Sequence, residues 1–295
     1  MALGIVEKAA IIIFLNGDNI LSYFLTVKML KYKKVMTYNS KNGGILMDII
    51  SIVNNKGGSG KSTLSFQMAS WLYEMNEKIL AIDLDAQSNF TQTARGEPGV
   101  IGSFELLAYK VDIMDCIQER EDNFDLIAAD QSLSTADVVI QGTGKEFRLK
   151  EAIRGLKKDY THIIIDTPPN LGILTMNAMT ASTRVVIAAQ PDVYSSNGLV
   201  QLYNNIKLIR QEYNPKLEID GILLICYKAQ TVFSNYIRES FEKIAAIIGT
   251  RVYPVYIRDS ITVKESQAAR QSIFEYAEKS KVAQDFRNFM KEVFY

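Results

Sequence analysis

Histidine and cysteine are almost missing from this 295-residue chain, with one His and two Cys. Cys116 and Cys226 stand far apart and outside any CxxC or Cys/His spacing. That excludes a disulfide framework and a zinc site, and leaves a reducing cytoplasm as the default compartment. The lone His162 lies in the apolar stretch 160–165 and reads as a strand residue rather than a catalyst. Net charge is missing too. The 33 basic and 33 acidic residues cancel, so no global field draws the protein to nucleic acid or lipid, and any such binding must come from a local patch. The apolar run 9–15 is cut by Asn16-Gly17-Asp18-Asn19, well short of a membrane span. The same region lacks the basic start, long apolar centre and small-residue cleavage site of a secretory signal.

What is present is ordinary globular material, 47% hydrophobic and 22% charged, enough to bury a substantial core. Residues 1–46 stand out: six lysines (8, 28, 31, 33, 34 and 41) against Glu7 and Asp18 give them a net charge of +4. They read either as a weakly folded appendage or as upstream sequence translated from a mis-called start. Met47, just ahead of the first convincing strand, favours the second. An interfacial anchor through 11–15 and 20–25 is a third reading. Residues 47–295 contain no repeat and no linker, and are expected to form one domain.

Within that domain strands and helices alternate. Apolar, β-branched runs predict strands at 49–54, 79–83, 124–129, 162–165, 184–189 and 219–226. Helical periodicity fills 61–75, 148–158, 171–181, 196–213 and 234–248. Strands without polar alternation, separated by helices, imply a mostly parallel twisted sheet covered on both faces: a three-layer α/β/α sandwich.

Between the first strand and first helix lies Lys56-Gly57-Gly58-Ser59-Gly60-Lys61-Ser62-Thr63. It fits the GxxxxGK[ST] phosphate loop with Lys56 in place of the usual first glycine. Glycines let backbone N–H groups turn inward onto phosphate oxygens, and the helix N-terminus adds its dipole. Lys61 would reach the β- and γ-phosphates, and the Ser62 hydroxyl would coordinate Mg2+. Gly142-Thr143-Gly144-Lys145 has the wrong spacing and no preceding buried strand, and reads as an ordinary turn. Asp83 and Asp85 end the second predicted strand, where two carboxylates beside a phosphate loop suit magnesium and water positioning. Asp166 closes the apolar strand Ile163-Ile164-Ile165, the place of a metal-holding aspartate.

The run 55–63 resembles the deviant Walker A box of the ParA/MinD family of ATPases, which share the P-loop NTPase fold. Asp83-Leu84-Asp85-Ala86-Gln87-Ser88-Asn89 is similar to that family's D-x-D-x-Q-x-N box. The segment from Asp166-Thr167-Pro168-Pro169 to Ala181 follows the ParA form DTPPxLGxLTxNAxxAxD, and the likeness covers about five-sixths of the chain. The resemblance implies ATP and Mg2+ as ligands and an ATP-dependent homodimer, in which Lys56 reaches across to the partner's phosphates. It also implies Asp85 as the residue that polarises the attacking water, and a magnesium-shell or structural role for Asp83. ParA proteins bind double-stranded DNA nonspecifically as ATP dimers, and a ParB-like activator stimulates slow hydrolysis during plasmid or chromosome partition. Candidate DNA contacts here are Lys207, Arg210, Arg238, Lys243, Arg258 and Lys264, with Lys207 foremost. The implied location is cytoplasmic and nucleoid-associated.

Departures from the family pattern fall on partner surfaces: Asn197, Lys228, Gln230 and Arg258-Asp259 replace commoner residues, and Arg184 stands close to where an acid is usual. A MinD-like, membrane-associated division-site ATPase is the main alternative, through the C-terminal pattern Phe286, Phe289, Met290, Val293. That pattern coincides with the family's closing core helix, so membrane binding is not expected. Positioning of a protein cargo is a further alternative.

Overall fold

Five consecutive positions of strand β1 (Asp48–Val53) are buried, because an unbroken apolar strand needs cover on both faces. The computed structural model describes residues 47–192 and 195–295. The expectations for residues 1–46, and for Val193 and Tyr194 in the stretch 190–199 that is similar to the family's QPEYxxxEGL segment, lie outside the described residues. A compact body runs over Met47–Met290.

After β1 come α1 (Lys61–Glu74), β2 (Ile79–Asp83), α2 (Asn89–Thr93), α3 (Ser103–Tyr109), β3 (Ile117–Glu121) and β4 (Phe124–Ile127). The middle of the chain forms α4 (Ala136–Val139), α5 (Arg148–Arg154), β5 (His162–Asp166), α6 (Ile173–Ala181) and β6 (Arg184–Ala189). It closes with α7 (Ser195–Glu212), β7 (Glu218–Tyr227), α8 (Val232–Ile248), β8 (Val252–Arg258), α9 (Ile261–Ala268), α10 (Ile273–Tyr276) and α11 (Lys281–Phe294). The strands form one sheet in the order β3-β4-β2-β5-β1-β6-β7-β8. Every pairing is parallel except β3 with β4. The expected three-layer sandwich is therefore the observed fold.

Two elements escape the apolar-run criterion. β3 carries the polar sequence IQERE at the sheet's edge, and β8 contains Pro254, which only an edge strand tolerates. The helix expected at 148–158 stops at Arg154, and Lys158 instead bridges Glu119 and Asp125. Residues 142–144 form a turn, as expected.

Leu80, Ile82, Ile163 and Ile165 pack with Leu107, Leu149 and Ile173. Ile187, Ile222 and Leu224 pack with Leu202, Ile206 and Phe241. At the amino ends of the strands, Arg184 joins Asp48 and Asp220, tying β1, β6 and β7 together. Despite burial, the Arg184 guanidinium holds the Asp48 carboxyl below its usual range. Phe286, Phe289 and Met290 of α11 are fully buried, with the Phe289 ring 5.0 Å from that of Tyr253. The apolar face of this helix belongs to the core. Among the described residues no helix is long and apolar enough to cross a membrane.

In a parallel sheet every strand delivers its carboxyl end to the same edge. β1 lies between β5 and β6, and the connection from β1 leads across β5 to β2. The crevice beyond such strand ends is where open α/β sheets bind ligands.

Candidate functional site

The loop after β1 is shaped by two glycines. Gly58 (φ 69°) and Gly60 (φ 86°) adopt the left-handed region, which a side chain disfavours. Gly60 also lies tight against β7: a Cβ there would meet Ile225 Cγ2 at 3.1 Å. Gly60 accepts the first helical hydrogen bond, from the Leu64 amide, so the loop runs directly into the N-terminus of α1. The Asn54 side chain fixes the loop's start, accepting from the Lys56 amide at 3.1 Å and donating to the Ala188 carbonyl. Gln190, at the end of β6, donates to the Gly58 carbonyl at 2.7 Å.

Lys61 is buried, and its ammonium donates to the Lys56 carbonyl at 3.2 Å. Burial lowers its pKa, against the pull of Asp166 and Asp85. Lys56 behaves differently: half exposed, it pairs with Asp192 at 2.7 Å.

Asp166 stands beside Asp83 in the β2–β5 register, and both are fully buried. Ser65 donates to Asp166 Oδ1 at 2.9 Å, while Oδ2 is buried with no hydrogen-bond partner among the described residues. Burial, then the neighbouring Asp83, push the Asp166 carboxyl up to about 8, opposed by the Ser62 and Ser65 hydroxyls and Lys61. Asp83 is pushed up to about 6, chiefly by burial. Its oxygens are already engaged: Oδ1 accepts from the Asp85 amide, and Oδ2 from both the Thr91 amide and hydroxyl. These contacts give Asp83 a structural part in the loop after β2. It pins the turn that presents Asp85. Asp85 accepts from the Gln87 amide at 3.0 Å and lines the cleft.

That cleft, about 610 Å³, is walled by residues 57–63, Asp85, Gln87 and Pro169. The far wall comes from α9 and the turn after it, where Gln267 donates to the Thr63 hydroxyl at 3.0 Å and Arg270 completes the lining. Gln267 and Arg270 had no signal in sequence, since they meet the loop from more than 200 positions away; Gln190 and Asp192 fall in a stretch similar to the family's QPEYxxxEGL segment, which did not say that they meet the loop.

The six candidate DNA residues do not act alike. Arg258 makes a two-pronged contact with Asp285 at 2.5 and 2.7 Å. Arg238 pairs with Glu242, and Arg210 donates to the Leu217 carbonyl. Lys207, Lys243 and Lys264 are exposed and make no ion pair among the described residues. Lys228 and Asp259, two of the departures, pair with each other at 3.4 Å. His162 is buried at the start of β5, its ring beside the Thr161 hydroxyl, remote from the cleft at the opposite strand end.

A family model described as an AAA domain matches residues 47–219. The sporulation initiation inhibitor protein Soj of Bacillus subtilis is 34% identical over 249 residues, covering 83% of this chain and 97% of the relative. The chromosome partitioning protein ParA of Myxococcus xanthus is 30% identical over 249 residues, covering 83% and 87%. Among solved structures, apo McdA of Cyanothece matches with a TM-score of 0.76 at 22% identity, over 84% of this chain and 99% of that one, a likeness of fold. Cobyrinic acid a,c-diamide synthase of Mycobacterium smegmatis, with bound ADP and magnesium, matches with a TM-score of 0.68 at 25% identity, over 83% and 93%.

Proposed function

The chain belongs to the ParA/MinD family of partition ATPases, and from that premise we propose that it is a switch whose two protomers join around ATP and part on hydrolysis. The observation that carries the reading is the cleft at the phosphate loop: a glycine-turned loop, a buried lysine whose ammonium donates to a loop carbonyl, and a buried carboxylate oxygen with no hydrogen-bond partner among the described residues.

The residues fit ATP with magnesium. Among the described residues no group of three or more His, Cys, Asp or Glu could cage a metal ion. A divalent cation here would take most of its ligands from phosphate and water, which is how Mg2+ usually binds beside a nucleotide. The Ser62 hydroxyl and, through water, Asp166 Oδ2 would hold it. A magnesium ion held by these residues would supply positive charge against the phosphates. Lys61 exchanges the Lys56 carbonyl for phosphate oxygens, and loop amides cradle the rest. Asp85, set by Asp83, orients the attacking water in line with the γ-phosphate. Lys56 closes the site of the other subunit. Hydrolysis is slow until a ParB-like partner completes the geometry.

The cargo reading is nonspecific double-stranded DNA, with Lys207, Lys243 and Lys264 as phosphate contacts and a nucleoid-associated place in the cytoplasm. Arg210, Arg238 and Arg258 are secondary candidates, since each also makes a contact within the chain. The domain reading carries over as residues 47–295 acting as the ATPase unit. A membrane-associated role loses its principal element, since the apolar face of α11 is used in the core.

Light scattering with and without ATP and Mg2+ tests the proposal. The wild type should form dimers only with both, Lys56→Ala should bind ATP and stay monomeric, and Lys61→Ala should bind no nucleotide. A Lys56→Ala protein that dimerises normally removes the shared site.

A further inference from the structure

We infer that Asp192 holds Lys56 inside its own protomer and must release it before two protomers can close on ATP, an inference that rests on the reading of Lys56 given above. All three polar groups of Lys56 are engaged within the chain. Its amide donates to Asn54, its carbonyl accepts from Lys61, and its ammonium meets Asp192 Oδ2 at 2.7 Å. An ammonium seated on a carboxylate of its own protomer is both misplaced and neutralised for a phosphate on another. Transfer of Lys56 across the interface therefore requires loss of this pair.

The environment suits a releasable contact. The Lys56 and Asp192 side chains are 52% and 26% exposed, and they border an open pocket of about 420 Å³ beside Asn55, Gln190, Asn197 and Gln201. A solvated pair of this kind is weak and exchanges readily, whereas a deeply buried one would resist separation. The grip is also double. Gln190, two residues earlier, holds the loop backbone through the Gly58 carbonyl. The end of β6 thus fixes the loop with one residue and restrains its lysine with another, so the lysine can leave while the loop keeps its shape. Asp192 is a positioning residue acting through Lys56.

Two such pairs break per dimer, so removing them should lower the protein concentration needed for dimerisation by about three- to ten-fold. The test compares full-length wild type, Asp192→Asn and Asp192→Glu in two measurements. In nucleotide-free protein, a small amine-acylating reagent is applied and Lys56 modification is read by mass spectrometry against Lys207. Asp192→Asn should raise Lys56 labelling several-fold, because the ammonium loses the carboxylate that holds and covers it, and Asp192→Glu should restore the wild-type value. Equal labelling in wild type and Asp192→Asn overturns the inference. In ATP and Mg2+, Asp192→Asn should dimerise at lower concentration, and the gain should vanish in a Lys56→Ala background. Raised labelling with unchanged or weakened dimerisation overturns the release step. Normal dimerisation of Lys56→Ala strikes at the shared-site reading instead, and the labelling measurement still decides whether Asp192 holds the lysine.

Discussion

Replacing Asp166 by asparagine should stabilise the nucleotide-free protein while abolishing its response to ATP and magnesium. The carboxyl is wholly buried, and burial together with Asp83 moves it from 3.8 to about 8. A carboxyl whose pKa is raised by folding contributes stability below 3.8 and loses it as the pH climbs toward 8. Four units at about 1.4 kcal/mol each set a ceiling of roughly 5 to 6 kcal/mol at pH 8. Asparagine can keep the hydrogen bond from Ser65. It puts an amide where Oδ2 has no partner, a cost of about 1–3 kcal/mol. The net gain is thus about 3 kcal/mol at pH 8, shrinking to about zero near pH 5. Urea unfolding can be followed by fluorescence of Trp71, the only tryptophan, which is 7% exposed in the body of α1. The transition midpoint is compared between variant and wild type from pH 5 to 8. Addition of ATP and Mg2+ should then raise the wild-type midpoint through ligand linkage and leave the variant unmoved. A difference between the two proteins that stays flat with pH would refute the argument that the cleft stores this cost for its ligand.

Gly60→Ala should lose about 1–2 kcal/mol of stability, because φ 86° is strained for alanine and the new Cβ presses on Ile225. Gly57→Ala, with Pro169 Cβ 4.0 Å away and no positive φ, should unfold like wild type; equal losses at the two sites would refute the distinction. Asp85→Ala forfeits one hydrogen bond to the Gln87 amide, so it should fold, bind ATP and dimerise while hydrolysis falls by about 100-fold or more. Turnover at the wild-type rate in a phosphate-release assay would remove Asp85 from the water-positioning role. Lys207→Ala should weaken salt-sensitive DNA binding without moving the unfolding midpoint. Arg258→Ala should do the reverse, losing about 1–2 kcal/mol of stability with its two-pronged Asp285 contact.

The central strands and the phosphate loop were legible because their causes are local. Apolar runs such as Ile163-Ile164-Ile165 need cover on both faces wherever they occur, and the glycines of 57–60 permit a turn that other residues resist. β3 and β8 were not legible, since edge strands face solvent on one side and need no continuous apolar run. The amphipathic pattern at Phe286, Phe289 and Met290 marked a helix with a hidden face, and packing against Tyr253 assigned that face to the core.

Sequence by itself determined the chemistry on offer: a phosphate-gripping turn, two lysines within it, and acids at the ends of two strands that the parallel sheet brings to one edge. Only the tertiary structure decided which of these groups are committed. Thr91 consumes Asp83, while Asp166 keeps an oxygen open. Asp192 takes Lys56, and Asp285 takes Arg258. A carboxylate or a cation reads the same in any sequence, and its function depends on partners that folding brings in from distant positions.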